Sequence, residues 1–144
     1  MTVKFKKLKE GAKTPEYQSE YAAGADLYAC CDDTVIEAHS RKLIPTGIAI
    51  ECERCDVVSL ICARSGLASK HGITLANGIG VVDSDYRGEI MVSLVNLSDS
   101  PYTVANGERI AQLMFLPVIK GEFSEGELSD TKRGVGGFGS TGKN

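Results

Sequence analysis

Short segments with the residue pattern of β-strands follow one another along most of the chain, and turn residues separate them. Apolar or β-branched residues form brief, often alternating runs, and Gly, Pro, Asp and Asn stand between the runs. Many short strands with little helix are typical of an all-β sandwich or barrel. The predicted strands cover residues 3–7, 22–29, 34–38, 41–44, 47–52, 56–62, 81–82, 89–96, 102–104 and 109–117.

The sequence predicts one packed domain followed by an arm. A chain of 144 residues, 42% of them hydrophobic, is large enough for a single core. The one convincing helical turn covers residues 65–71, with Ser65 as its N-cap and Gly72 at its end. The last segment is too rich in glycine to bury the apolar area that ordering requires. We therefore expect a core over residues 1–123 and a flexible arm over residues 124–144.

The charge of the chain limits the partners that it can have. Its formal net charge is −3, whereas proteins that bind nucleic acid through phosphates are normally basic. Residues 1–10 are charged and unlike a signal peptide, and no apolar run approaches the roughly 18 residues of a membrane span. We expect a cytoplasmic protein with no nucleic-acid or membrane partner, in which any polyanionic ligand is held by arginines, backbone amides or a metal ion.

Five cysteines leave two interpretations open. They occupy positions 30, 31, 52, 55 and 62, and an odd number without a secretion signal argues for reduced thiols. Cys52 and Cys55 have the spacing of half a zinc site, and the other half would have to come from Cys30 and Cys31. Small buried thiols are the interpretation that we favour.

The stretch 77–89 is the best candidate for a binding pocket. It reads as two short strands bent back on each other around a turn rich in aspartate and glycine. Asn77 offers a donor and an acceptor, Tyr86 offers a ring for stacking, and Asp83 or Asp85 offers a base. A surface hairpin with ordinary turn aspartates is the alternative, because Asp and Gly are favoured in turns.

Five segments, taken together, resemble the signature segments of the trimeric dUTPases, the deoxyuridine triphosphate nucleotidohydrolases. They occur in the order found in that family and extend over most of the chain. One departure is Ala63, where the family usually has proline. The segments are AGADL at 23–27, RSGLA at 64–68, NGIGVVDSDYRGE at 77–89, GERIAQL at 107–113 and RGVGGFGSTG at 133–142.

The resemblance implies an activity, a fold and an assembly. The activity is hydrolysis of dUTP to dUMP and pyrophosphate with Mg²⁺, which limits uracil in DNA and supplies dUMP. The fold is a β-clip, a distorted jelly-roll barrel with one short helix. The assembly is a homotrimer, in which each site takes the 77–89 segment from one subunit, the second and fourth segments from a neighbour, and the arm from the third.

The resemblance also implies roles in catalysis and phosphate binding. Asp83 would be the general base that activates the water attacking the α-phosphorus, while Asp85 would have a structural role. Asp26 would hold Mg²⁺ through water, since this ion keeps most of its hydration shell. The phosphates would be bound by Arg64, Ser65, Gly66 and Gln112, the first three at a helix N-terminus.

The roles implied for recognition of the nucleoside lie in the third and fifth segments. Uracil would be bound by Asn77, Gly80, Val81, Val82 and Met91, in part through their backbone groups. Tyr86 would pack on the deoxyribose and leave no room for a 2′-hydroxyl. The arm would close over the bound nucleotide with Arg133, Phe138, Gly139, Ser140 and Thr141.

Two other functions are compatible with the same scaffold. A dCTP deaminase, possibly bifunctional, would need a glutamate in the base pocket, and Glu89 lies far past the turn. A non-catalytic trimer that senses nucleotides is the second alternative, although the segments carry a complete set of chemical groups.

Overall fold

The computed structural model describes residues 1–137 and confirms a chain built mostly of strands. A single short helix follows the sixth strand, and no helix within residues 1–137 is long and apolar enough to cross a membrane. The elements are β1 Val3–Lys7, β2 Ala25–Tyr28, β3 Thr34–Ile36, β4 Arg41–Pro45, β5 Ile48–Cys52, β6 Val57–Ala63, α1 Ser65–His71, β7 Ile73–Leu75, β8 Gly80–Val82, β9 Met91–Asn96, β10 Tyr102–Val104 and β11 Arg109–Pro117.

The strands form four antiparallel sheets rather than a closed barrel. The largest has the order β2-β11-β6-β8 and the next β4-β9-β7, while β1 pairs with β5 and β3 with β10. Several of these strands have only three residues. The all-β class is confirmed as a jelly-roll-like arrangement, but within residues 1–137 the predicted closure of the barrel is absent.

The two strands around the central turn do not pair with each other, so the predicted hairpin is wrong. β8 pairs with β6, whereas β9 pairs with β4 and β7. Residues 83–90 therefore carry the chain from one sheet to another. This placement puts the turn at a junction between sheets, where a cavity can form.

Two local features of the helix and its surroundings differ from expectation. Arg64, with extended backbone angles (φ −86°, ψ 126°), is the N-cap, and it makes no capping hydrogen bond; Ser65 is the first helical residue. The helix ends as predicted at Gly72, whose φ is 68°. β7 follows at once and was not predicted, because three residues are too few to show a period.

The core lies between the sheets and is filled by aliphatic side chains. β6 and β9 alternate buried and more exposed residues, as strands with one face on a core do. Gln112 on β11 lies opposite Asp26 on β2 and Cys62 on β6, so these three share the face turned away from the core. The buried aliphatic residues include Leu27, Ile36, Ile44, Ile48, Ile73, Ile90, Leu94, Ile110 and Leu113.

The cysteines are unpaired thiols in different environments. Cys30 is buried, Cys55 is exposed, and Cys31, Cys52 and Cys62 lie between these extremes. In the part of the chain that the structure describes, no three His, Cys, Asp or Glu side chains stand close enough together to hold a metal ion.

The C-terminal segment leaves the sheets after β11. Residues 118–135 are exposed and have no strand or helix, and the Val118 amide donates to the Asp56 carbonyl at 2.9 Å. The proposed boundary at residue 124 lies six residues inside this exposed segment and stays a prediction.

Replacing the buried Asn96 tests how the 97–100 loop is held. Its amide donates to the carbonyls of Ile36 and Ser100 and accepts from Ser98. Asn96→Ala should lower the free energy of unfolding by about 1–3 kcal/mol for each buried group left unpaired. Urea denaturation at one fixed protein concentration measures this. The exposed Asn106→Ala is the control, and equal losses in the two variants would contradict the assignment.

Candidate active site

The predicted nucleoside-binding residues surround one cavity. It has a volume of about 230 Å³ and lies between the end of β8, the turn after it and the start of β9. Its size and its mixed polar and apolar lining suit a small flat ligand. The lining residues are Ile61, Asn77, Gly80, Val81, Val82, Asp83, Tyr86, Glu89, Ile90 and Met91.

Hydrogen bonds within the turn fix the shape of this cavity. The Tyr86 amide donates to the Asp83 carbonyl at 3.1 Å, and the Tyr86 hydroxyl donates to the Glu89 carbonyl at 3.0 Å. The Ser84 hydroxyl donates to the Cys55 carbonyl, and Arg87 donates to two carbonyls of the turn. Ser84, Tyr86 and Arg87 thus brace the turn, and the structural role expected of Asp85 stays a prediction.

Two glycines allow close approaches that shape the cavity. A Cβ added at Gly80 would lie 2.9 Å from the Cβ of Ile61, so β8 can pair with β6 only with glycine there. A Cβ added at Gly88 would overlap the Tyr86 hydroxyl and ring. The tyrosine ring therefore lies directly over Gly88, closing the turn.

Glu89 anchors the far end of the turn, where its carboxylate is engaged by Gly47 and Lys9. One carboxylate oxygen accepts the Gly47 amide at 2.7 Å and lies 3.5 Å from the Lys9 ammonium. In the next residue, the Ile90 carbonyl accepts the Thr46 hydroxyl at 2.7 Å. These bonds tie the turn to the segment before β5.

Asp83 is free to act on a ligand. Its side chain is exposed at the rim of the cavity and makes no hydrogen bond or ion pair with residues 1–137. Asn77 is likewise exposed, and its side-chain amide has no partner in that range. The cavity thus presents a carboxylate and an amide whose hydrogen-bonding capacity is unused.

A second cluster of predicted residues joins the first, second and fourth segments around Asp26. This carboxylate is 2% exposed. Its Oδ2 accepts from Arg109 Nη1 at 3.1 Å, and its Oδ1 lies 3.3 Å from Arg64 Nε, an ion pair without hydrogen-bond geometry. Arg64 Nη1 also donates to the Arg109 carbonyl at 2.9 Å. Gln112 lies directly opposite Asp26 in the ladder.

The start of the helix extends this cluster. Ser65 and Gly66 are exposed, and the first amides of a helix have no intrahelical acceptor. Burial raises the pKa of Tyr102, and Glu108, which accepts a hydrogen bond from its hydroxyl, raises that pKa further through this bond and its negative charge. Glu108 is therefore oriented toward Tyr102, and within residues 1–137 it makes no ion pair with Arg64 or Arg109.

The two clusters remain separate in one chain. Within residues 1–137 no hydrogen bond or ion pair joins the cavity at Asp83 to the cluster at Asp26. From the arm, Arg133 is exposed and donates to the Gly136 carbonyl at 2.9 Å. The arm's other predicted contacts, Phe138, Gly139, Ser140 and Thr141, lie outside the described residues.

Sequence reasoning assigned no role to three residues that hold the site. Ser84 and Arg87 brace the turn through backbone carbonyls, and a sequence pattern gives no sign of such partners. Arg109 could have been noticed as a cation inside the fourth segment. Its contact with Asp26, 83 positions away, could not.

Comparisons with known proteins decide the family. The sequence profile of the dUTPase family matches residues 10–142. The chain belongs to the dUTPase family. It is 52% identical over 144 residues to the deoxyuridine 5′-triphosphate nucleotidohydrolase of Nautilia profundicola, with 99% of this chain and 100% of the relative covered. Family membership makes it a dUTP diphosphatase, and the deaminase alternative finds no support.

Solved dUTPase structures have the same fold. The dUTPase of Staphylococcus bacteriophage 80alpha, solved with dUpNHpp, superposes with a TM-score of 0.89 at 27% identity, covering 98% of each chain. A variant of the dUTPase from phage phi11 of S. aureus has a TM-score of 0.81 at 22% identity, covering 91% of this chain and 100% of that one. The latter structure describes the coordination of a structural Mg(II) ion, and its likeness to this chain shows the fold alone.

Gly88→Ala tests whether the tyrosine ring over this glycine shapes the cavity. The added methyl should displace the exposed Tyr86 ring at little cost to folding, and because about 1.4 kcal/mol of lost binding is a factor of ten, the KM for dUTP should rise up to about tenfold. Steady-state kinetics measure this, with Gly121→Ala, which has open space around it, as the control. In a Tyr86→Ala background the same change should have little further effect; an undiminished effect would contradict the contact.

Proposed function

We propose that the protein hydrolyses dUTP by attack of a water on the α-phosphorus, with Asp83 as the general base. The observation that carries this proposal is the exposed Asp83 carboxylate, which has no partner in residues 1–137. It lies at the rim of a cavity large enough for a nucleobase. A carboxylate positioned beside the reacting phosphorus needs no covalent intermediate. The products are dUMP and pyrophosphate.

Specificity for deoxyuridine is assigned to the cavity itself. Asn77 and the backbone groups of Val81 and Met91 pair with the polar edge of uracil, while Gly80 and Val82 form the wall on β8. A wrong base leaves buried polar groups unpaired, which costs about 1–3 kcal/mol each. Tyr86, fixed by its bond to the Glu89 carbonyl, packs on the sugar and leaves no space for a 2′-hydroxyl.

The triphosphate is assigned to the cluster around Asp26. The substrate carries about four negative charges, so catalysis depends on positioning and on neutralising charge at the phosphates. Arg64 supplies a fixed cation, Ser65 and Gly66 supply a hydroxyl and free amides, and Gln112 supplies an amide donor. The closeness of these residues supports the assignment, because Asp26 contacts Arg64 and lies opposite Gln112 in the sheet.

Mg²⁺ fits this cluster as a partner of the substrate. Mg²⁺ keeps several waters and is usually bound by one or two carboxylates together with substrate phosphates, so one carboxylate is enough on the protein side. Asp26 Oδ1 is the buried side-chain oxygen within residues 1–137 with no hydrogen bond, so it can accept from a water of the ion's shell. When bound, the ion neutralises phosphate charge.

We further propose a homotrimer with shared sites. Within residues 1–137 of one chain no hydrogen bond or ion pair joins the cavity to the phosphate cluster, and an active site needs both. The exposed segment after β11 supports the proposal that residues 124–144 reach a site on another subunit, where Arg133, Phe138, Gly139, Ser140 and Thr141 close over the nucleotide.

The five unpaired thiols suit the reducing cytoplasm, where we place the protein.

No observation favours either of the two alternative functions, a dCTP deaminase or a trimer that only senses nucleotides. A deaminase needs a free carboxylate at the base, and Glu89 is held by the Gly47 amide and Lys9. A purely nucleotide-sensing trimer would not require the unpaired Asp83. A turnover assay with dUTP beside dCTP, dTTP and UTP separates these functions: only dUTP should be consumed, and release of ammonia from dCTP would overturn the proposal.

Asp83→Asn tests the base. The amide keeps the shape of the side chain but cannot take a proton, so kcat should fall about 10²–10⁴-fold while KM changes little. Release of pyrophosphate at saturating dUTP and Mg²⁺ measures it. Asp85→Asn is the matched control and should retain most of the activity. A near-normal rate for Asp83→Asn would place the base elsewhere.

Mixing two inactive variants tests the shared site. Asp83→Asn damages the cavity and Arg64→Ala the phosphate cluster, so each homotrimer should be inactive. After co-refolding, up to about a quarter of the sites should combine an intact cavity with an intact neighbouring cluster, because the subunits assemble at random. Recovered activity, with trimers seen by light scattering, is the expected result. A mixture that stays inactive would mean that each site lies within one chain.

A further inference from the structure

We propose that Arg109 is a positioning residue for triphosphate binding: by neutralising the buried Asp26, it keeps the charge of Arg64 available to the phosphates. This inference rests on the proposed function of the cluster. Nothing in the five-segment resemblance gives Arg109 this role.

A bulge in β11 puts Arg109 where it can act. Arg109 pairs with Tyr28 but Ala111 pairs with Leu27. Two residues of β11 therefore lie opposite one residue of β2, which is a β-bulge. As a result both Ile110 and Ala111 face the core. In a regularly alternating strand, Arg109 would lie on the same face as Ala111, toward the core. The extra residue moves Arg109 to the face that carries Asp26. Bulges beside active sites often redirect a side chain in this way.

The charges in the cluster do not balance, and the imbalance favours an anion. Two guanidinium groups contact one buried carboxylate, at 3.1 Å for Arg109 and 3.3 Å for Arg64. The other nearby carboxylate, Glu108, accepts the Tyr102 hydroxyl and the Ala105 amide and makes no ion pair with either arginine. Asp26 and the two arginines that contact it therefore carry one net positive charge, a count that leaves out the Glu108 carboxylate, which keeps its own charge.

The geometry distinguishes the two arginines. Arg64 is the more buried, with 25% of its side chain exposed against 42% for Arg109, and its Nη1 is fixed by the Arg109 carbonyl. Arg109 alone makes a true hydrogen bond to Asp26, through a single nitrogen. Without it, the buried carboxylate would have only Arg64 as a counter-charge, and the pair would present no net charge to a triphosphate.

The test is binding of dUpNHpp, a triphosphate that is not hydrolysed, compared with binding of dUMP, in EDTA so that Mg²⁺ does not contribute. Arg109→Gln should weaken dUpNHpp binding roughly tenfold, since charge-assisted contacts are the strong ones, and should leave dUMP binding within about twofold. Arg109→Lys keeps the charge and can still donate a hydrogen bond to Asp26, so it should stay close to the wild type. Arg41→Gln, on β4 in another sheet and without an ion pair in residues 1–137, is the matched control for loss of one charge.

A second substitution separates positioning from direct phosphate contact. If Arg109 acts by neutralising Asp26, then Asp26→Asn in the Arg109→Gln background should restore most of the dUpNHpp affinity, because the neutral amide no longer opposes Arg64. A loss that this substitution does not recover would mean that Arg109 touches phosphate itself, and would overturn the inference. So would an Arg109→Gln variant that binds dUpNHpp normally, or one that loses dUMP equally. Wild-type turnover of dUTP, measured in parallel, shows separately whether the proposed function stands.

Discussion

A single buried carboxylate joins the parts of the chain on which the candidate site depends. Asp26 on β2 contacts Arg64, which begins the helix, and Arg109 at the start of β11. Removing a carboxylate from water is unfavourable unless cations and hydrogen bonds replace the water, so this group would be destabilising without its arginines. The arrangement joins three segments that are far apart in sequence, and it gathers two guanidinium groups around one carboxylate in an otherwise acidic protein.

The chemistry divides between two places in the fold. The cavity after β8 is shaped by backbone hydrogen bonds and by close approach at Gly80 and Gly88, which suits recognition of a base and sugar. The cluster on the outer face of the largest sheet carries two arginines, which suits recognition of phosphates. Neither place is sufficient for a nucleoside triphosphate, and this division is the physical reason to propose that subunits share their sites.

The sequence could predict what depends on local pattern, and little else. The strand at 109–117, the strand at 102–104 and the helix over 65–71 have clear patterns and are found as predicted. The partners of β8 and β9 depend on contacts across the fold, so the expected hairpin was wrong. The N-cap was also misplaced at Ser65, and the role of Arg109 was invisible, because a bulge and a contact 83 positions away determine it. The resemblance supplied the candidate residues, and the structure supplied their grouping.

The central claim is that water attacks the α-phosphorus of dUTP beside Asp83. Hydrolysis in water enriched in oxygen-18 tests it most directly, since the label enters the product whose phosphorus was attacked. Mass spectrometry of the products after a single turnover should find the label in dUMP and none in pyrophosphate. Label in pyrophosphate would mean attack at the β-phosphorus, and would contradict the account of a base placed at the innermost phosphate.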